Sequence, residues 1–195
     1  FGNMLIEAVL IFVIAREMNA SYTTSIMLTM VVPFSVRLIS LPLWANYLDR
    51  VHVAQFRARQ SILWIAAQLL TMLGAMLASV PWLIFARFIT GLAWGGGALA
   101  WQLGHNDFAK SDQLTAYLGV HVTLTGVRGA TAPFVGIYLY LGWQDAPGSF
   151  GGGCLGTWDG IGAWVFAVAA CISAMSGIGF NRLYRSMKRE GSIKL

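Results

Sequence analysis

Residues 87–136 read RFITGLAWGGGALAWQLGHNDFAKSDQLTAYLGVHVTLTGVRGATAPFVG, and this stretch decides how the chain is organised. Two long apolar segments run through it, and polar side chains interrupt both. The first segment carries Arg87 and Gln102, and the second carries His121 and Arg128. A helix surrounded by lipid has no use for such side chains, whereas a helix that lines a water-filled path needs them. The stretch therefore predicts two membrane helices that face a polar space.

The composition of the whole chain supports a membrane protein. Hydrophobic residues make up 57% and charged residues 11% of the 195 residues, and the mean hydropathy is +0.65. A soluble domain is roughly 25% charged, and several apolar stretches here reach the roughly 20 residues that a helix needs to cross a bilayer. We therefore predict an all-α, polytopic membrane protein that forms a single six-helix bundle over residues 1–195. The predicted helices cover 1–15, 22–48, 62–78, 82–103, 114–141 and 160–180, followed by a basic tail over 181–195.

Lysine and arginine are distributed unevenly between the predicted connections. One set of connections holds only Arg16. The opposite set consists of residues 49–61, the connection after the fourth helix and the tail. It holds nine basic residues: Arg50, Arg57, Arg59, Lys110, Arg182, Arg185, Lys188, Arg189 and Lys194. The positive-inside rule then places both chain ends in the cytoplasm, with the chain crossing the inner (plasma) membrane several times. These basic residues flank membrane segments and form no basic face with interleaved aromatics, so we expect no nucleic-acid partner.

Four charged residues fall within the predicted spans: Glu7, Arg37, Arg87 and Arg128. Three cations against one anion leave positive charge that a substrate anion would balance. Alternatively, the arginines bond to backbone carbonyls or extend to the membrane interface. We expect Arg87, near the start of its helix, to reach the outer interface, and Arg37 and Arg128 to face a cavity. Glu7 is either a functional carboxylate in mid-span or a residue nearer the interface.

The fifth predicted helix carries a polar stripe. His121, Thr125 and Arg128 follow helical spacing and therefore share one face. We predict that Glu7, Arg37 and this stripe form the path of a substrate or a coupling ion. Simple helix packing would account for the nearby glycines but explains His121 and Arg128 poorly.

Small residues and prolines in the fourth and fifth helices form a second pattern. Small side chains at one-turn or two-turn spacing let neighbouring helix backbones approach closely, and a proline bends a span. The residues assigned to packing and bending on this basis are Gly91, Gly95, Gly129, Pro133 and Gly136.

Three features of the chain resemble the major facilitator superfamily of secondary transporters. Residues 45–50, ANYLDR, resemble the family's G-x-L-A-D-R signature between its second and third helices. Arg87 with Gly91 resembles the R-x-x-x-G part of the fourth-helix motif. Residues 126–136 resemble the Gly/Pro motif of the fifth helix. The weakened loop signature and the basic tail are similar to the C-terminal half of bacterial members.

This resemblance implies one half of a transporter built from two six-helix halves around a central cavity, with a site near the membrane midplane. The expected function is secondary active transport of a small solute, with an anion among the candidates, by alternating access and with proton coupling. A missing N-terminal six-helix half would supply the other wall, in keeping with a chain that begins at Phe1 inside an apolar run. Asp49 and Arg50 would form a conformational gating pair, and Glu7 and His121 would be candidates for protonation. Arg37 and Arg128 would be candidates for anion contact or charge balance.

Three other classes of function compete with transport: an intramembrane enzyme, a haem protein and a membrane scaffold. An intramembrane enzyme would need a motif such as G-x-S-x-G or H-E-x-x-H, and the sequence has neither. His105 and His121 lie at different predicted depths, which disfavours a haem held between them. We therefore expect no enzymatic activity, no cofactor and no metal. The alternative to transport is a membrane scaffold that transports nothing, or an intramembrane redox protein or enzyme.

Overall fold

The computed structural model describes residues 2–104, 114–142 and 158–191. This part of the chain is all-helical and contains six helices, as the sequence predicted. The helices are α1 (Gly2–Phe12), α2 (Tyr22–Leu48), α3 (Val53–Met76), α4 (Val80–Leu103), α5 (Leu114–Leu141) and α6 (Trp164–Arg189). Helix α1 continues after Phe12 into a π-helical turn, Val13–Glu17.

Three of these helices, α2, α4 and α6, are long and apolar enough to cross a membrane. Their outer surfaces expose large apolar side chains, which suit contact with lipid. Leu38, Ile39 and Leu43 on α2, for example, are 65%, 76% and 71% exposed. A continuous apolar surface of this kind marks a protein that is not surrounded by water alone. The chain is therefore a membrane protein, and the six-span arrangement stays a prediction.

Helix α3 begins at Val53, so the prediction of a basic connection over residues 49–61 is wrong for most of that segment. His52 caps the helix, since its Nδ1 accepts a hydrogen bond from the Ala54 amide at 3.1 Å. The first turns are stable because they bury Phe56 and Gln60 inside the bundle. As a consequence, Arg57 lies on a helix and enters the bundle.

Helix α6 continues to Arg189, so residues 181–189 of the predicted tail are helical. Lys188 and Arg189 occupy the last turn, where positive charge interacts favourably with the helix dipole. The helix stops before Gly191, whose φ of 69° lies in the left-handed region that favours glycine.

Glycines on α4 allow that helix to lie directly against α2. A Cβ added at Gly91 would lie 2.6 Å from the Pro33 carbonyl oxygen, and one at Gly95 would collide with the Ser40 hydroxyl. Gly91 and Gly95 therefore stand where two helix backbones approach closely. Helix α4 also packs against α3, and α3 packs against α6.

Helix α5 packs mainly against α1. A Cβ at Gly136 would collide with the Leu5 carbonyl, so the backbones of the two helices approach closely at this glycine. At Gly129, in contrast, an added Cβ would meet only Met4 Sδ at 3.9 Å, an ordinary contact. The structure therefore gives Gly129 no tight packing role. Pro133 lies inside α5 between the two glycines.

Candidate functional site

A cavity of about 540 Å³, open to the surface, lies between helices α1 to α5. Its charged lining residues are Glu7, Arg37, Arg57 and Arg128. The indole rings that line it come from Trp64, Trp94 and Trp101. The cavity therefore combines cationic groups with large aromatic surfaces, inside a bundle whose outside is apolar.

Most of the residues predicted for a substrate path meet at this cavity. Glu7, Arg37, Thr125 and Arg128 come from three different helices and all line it. His121 is not part of the lining. Its ring contacts Trp101, with the ring centroids 5.2 Å apart, and Trp101 Nε1 donates to Thr125 Oγ1 at 3.5 Å. The polar stripe of α5 thus reaches the cavity through Thr125 and Arg128, with His121 placed behind Trp101.

Arg87 does not reach the outer interface, so that expectation is wrong. Its side chain is buried and donates to both carboxylate oxygens of Glu7, Nη1 to Oε1 at 3.0 Å and Nη2 to Oε2 at 3.2 Å. The Glu7 side chain is 30% exposed and the Arg87 side chain 1% exposed. The Glu7 carboxylate on α1 faces Arg87 directly and forms an ion pair with it. Arg87 therefore does not need to extend to the membrane interface, as an isolated arginine would.

A local change in helix α2 supplies the third bond of Arg87. Residues Met27–Val31 form a π-helical turn, in which the Val32 amide donates to the Met27 carbonyl. The Leu28 carbonyl would then bond to the amide of residue 33, but that residue is Pro33, which has no N–H. Arg87 Nε instead donates to the Leu28 oxygen at 2.9 Å. The π turn and the proline therefore create an acceptor inside the bundle.

With Arg87 neutralised by Glu7, three cations face the cavity without such a partner. Within residues 2–104, 114–142 and 158–191, no carboxylate lies within 4.0 Å of Arg37, Arg57 or Arg128. Arg37 lies over the ring of Phe34, and Arg57 over the ring of a residue on α6, Phe180, each with its guanidinium carbon 5.9 Å from the ring centroid. A cavity with this excess of positive charge attracts anions.

Arg57 and Arg128 line the same cavity, and the positive charge of Arg128 acts on Arg57. The buried Arg128 Nε finds no hydrogen-bond partner in the described part of the chain. A buried donor left in this way costs about 1–3 kcal/mol. An anion bound between the two guanidinium groups would relieve both the repulsion and the missing bond.

Composition does not point to Arg57 as a site residue, because the composition of its segment is typical of a loop. A signal was present in the sequence, since Val53, Phe56 and Gln60 follow helical spacing and are all buried. Gln60 Nε2 donates to the Ala93 carbonyl at 2.7 Å. This bond fixes the rotation of α3, and Arg57, about one turn earlier, consequently faces the cavity.

The glycine run at 95–97 makes room for the groups that hold α3 and α2 on α4. A Cβ at Gly96 would lie 2.8 Å from the ring of Trp44 and 3.1 Å from Gln60 Nε2. Without that Cβ, Trp44 Nε1 donates to the Leu92 carbonyl at 2.8 Å. The run therefore belongs to the positioning of the cavity wall.

Asp49 and Arg50, the predicted gating pair, lie at the C-terminal end of α2 and are exposed. Asp49 caps the helix through its backbone amide. Neither side chain forms an ion pair or a hydrogen bond with another described residue, and the gating role stays a prediction. His105, a candidate haem ligand in the sequence, lies outside the described residues.

Comparisons with models of protein families, with curated proteins and with solved structures returned no match. Across the described ranges, no three His, Cys, Asp or Glu side chains are placed to hold a metal ion together.

Proposed function

We propose that the protein is a secondary active transporter that moves a small anionic solute across the membrane by alternating access. The observation that carries this proposal is the set of three arginines, Arg37, Arg57 and Arg128, around one open cavity. An intramembrane cation is costly unless it pairs or serves a function. For these three, the described residues offer no carboxylate, so a solute anion is the best-supported partner.

The shape of the cavity suits a path for a solute rather than a closed binding pocket. The cavity is open to the surface, and the residues that line it come from five helices. We propose that a second six-helix unit, as in the major facilitator superfamily, supplies the opposite wall. Both chain ends would be cytoplasmic, and the membrane would be the inner (plasma) membrane. The resemblance of residues 45–50, of Arg87 with Gly91 and of residues 126–136 supports this arrangement.

We propose Glu7 as the group through which a proton gradient acts. Its carboxylate is the only one in the described cavity lining, and it holds the buried Arg87 in place. Protonation of Glu7 from the cavity would weaken that bidentate ion pair, which joins α1 to α4. A change in one charge would then alter the contact between two helices. His121, behind Trp101, is a second candidate for proton uptake.

Purified full-length protein in proteoliposomes should take up radiolabelled benzoate and phosphate faster than the neutral solutes benzamide and glycerol. An inward proton gradient should accelerate uptake of the anions, and a protonophore should remove that acceleration. Protein-free vesicles provide the background. Anion uptake no greater than in those vesicles, or no greater than neutral-solute uptake, would contradict the proposal and favour a scaffold that transports nothing.

A further inference from the structure

A second, smaller space lies beside the cavity, between α1, α3, α5 and α6. Its volume is about 140 Å³, and we call it the side chamber. Asn3, Arg57, Trp64 and Arg128 line both the side chamber and the cavity. The two spaces are therefore adjacent, and the two arginines stand at their junction.

Three of the polar groups that line the side chamber already have acceptors. Gln60 Nε2 donates to the Ala93 carbonyl, Ser61 Oγ to the Ala58 carbonyl at 2.7 Å, and Ser173 Oγ to Gln68 Oε1 at 3.0 Å. These bonds fix the chamber walls and leave those donors occupied.

Other donors around the side chamber remain available. Asn3 uses its carbonyl oxygen to accept from Gln68 Nε2 at 2.9 Å, which leaves its amide nitrogen free to donate. The Ser176 hydroxyl and the Arg57 and Arg128 guanidinium groups have no acceptor among the described residues. The described residues that line the chamber include no carboxylate. Donors without acceptors, two of them cationic, match the oxygens of a carboxylate or a phosphate.

The side chamber is too small for a whole organic solute, because such sites measure roughly 300–1,000 Å³. The cavity next to it is lined by the indoles of Trp64, Trp94 and Trp101, which offer apolar surface. Trp64 faces both spaces. A ligand that extends from one space into the other would place a charged group among the donors and an apolar group among the rings.

We infer that the ligand is an amphipathic organic anion, with a carboxylate or phosphate head held in the side chamber between Arg57 and Arg128 and an apolar body against Trp64 and the other indoles. This inference rests on the proposed function and names the class of its substrate. Because it concerns binding, purified protein tests it without any transport.

The first test is isothermal titration of the full-length protein in detergent with matched ligands. Benzoate and phenyl phosphate carry a head and a body, benzamide carries a neutral head on the same body, and acetate and inorganic phosphate are heads alone. At least one aromatic anion should bind about tenfold or more tightly than both benzamide and its own bare head, in line with a charged hydrogen bond and a buried ring. Equal affinity for the aromatic anions and benzamide would overturn the inference.

The second test compares variants that retain native thermal unfolding. Arg57→Gln and Arg128→Gln should each weaken binding of the aromatic anion about tenfold, with partial recovery in Arg57→Lys. Arg59→Gln, on the same helix but exposed, is the matched control and should bind like the wild type. Trp64→Leu should weaken binding of the aromatic anion more than binding of its bare head.

Unchanged affinity in both Arg57→Gln and Arg128→Gln would overturn the inference even if anions are transported. Binding without uptake, in contrast, would contradict only the transport proposal.

Discussion

Replacing Glu7 with glutamine should lower the free energy of unfolding by about 3–5 kcal/mol, the cost of breaking a buried ion pair by removing one partner. Arg87 is 0% exposed, and its two terminal nitrogens both donate to Glu7. In the variant, its charge would stay buried with the Leu28 carbonyl as the remaining strong acceptor. Few other single substitutions in the described bundle would leave so large an uncompensated charge.

Thermal unfolding of the purified protein in detergent measures this effect. Asp49→Asn removes a carboxylate that is exposed and makes no ion pair with a described residue, so it should unfold like the wild type. The double variant Glu7→Gln/Arg87→Met should recover much of the lost stability, because it removes the buried charge as well. A Glu7→Gln protein as stable as the wild type would show that the pair does not hold α1 to α4.

Arg128→Gln should reduce anion uptake about tenfold or more while leaving membrane insertion and thermal stability intact. The Nε of Arg128 is buried without a hydrogen-bond partner in the described chain, so the side chain contributes little to holding the fold. Its guanidinium group faces both the cavity and the side chamber. Loss of the charge therefore removes an anion contact and not a structural bond.

Initial rates of benzoate uptake in proteoliposomes, normalised to inserted protein, measure this second effect. Arg59→Gln serves as the control, since Arg59 is exposed and donates to the Tyr47 hydroxyl, away from the cavity. It should transport at the wild-type rate. Normal uptake by Arg128→Gln would mean that this arginine has no part in recognising the solute.

The class of the protein and several members of the site followed from the sequence. Mean hydropathy and long apolar segments indicated a helical membrane protein because the bilayer imposes a length and a composition on every span. Arg37 and Arg128 could be placed at a cavity because a charge inside an apolar helix has few other environments. Helical spacing then placed Thr125 on the same face as Arg128.

Side-chain contacts between helices that are distant in the sequence could not be predicted from composition and helical spacing. Glu7 and Arg87 are 80 residues apart, and nothing in either helix alone shows that the two face each other. The acceptor at Leu28 depends on a π turn ahead of Pro33, which periodicity in the sequence does not reveal. The predicted location of Arg87 at the outer interface is consequently wrong, although the excess of cations over anions is evident in the sequence.

The position of Arg57 on a helix at the cavity could not be predicted from composition, for a different physical reason. Three arginines and a histidine over residues 50–59 give that segment the composition of a loop, whereas its buried Phe56 and Gln60 provide enough packing to extend α3 back to Val53. Composition describes a segment as a whole, but a helix can bury one face and expose the other. The same limitation applied to residues 181–189, which continue α6.

The central claim is that the arginines around the cavity recognise an anion, and a comparison of two charge-matched triple variants tests it most directly. One variant changes Arg37, Arg57 and Arg128 to glutamine, and the other changes the exposed Arg16, Arg59 and Arg185 to glutamine. Both lose the same net charge, and both are assayed for benzoate uptake in proteoliposomes after their insertion and thermal unfolding are verified. We predict that the cavity variant loses uptake and the surface variant keeps it. Equal uptake by the two variants would contradict the claim.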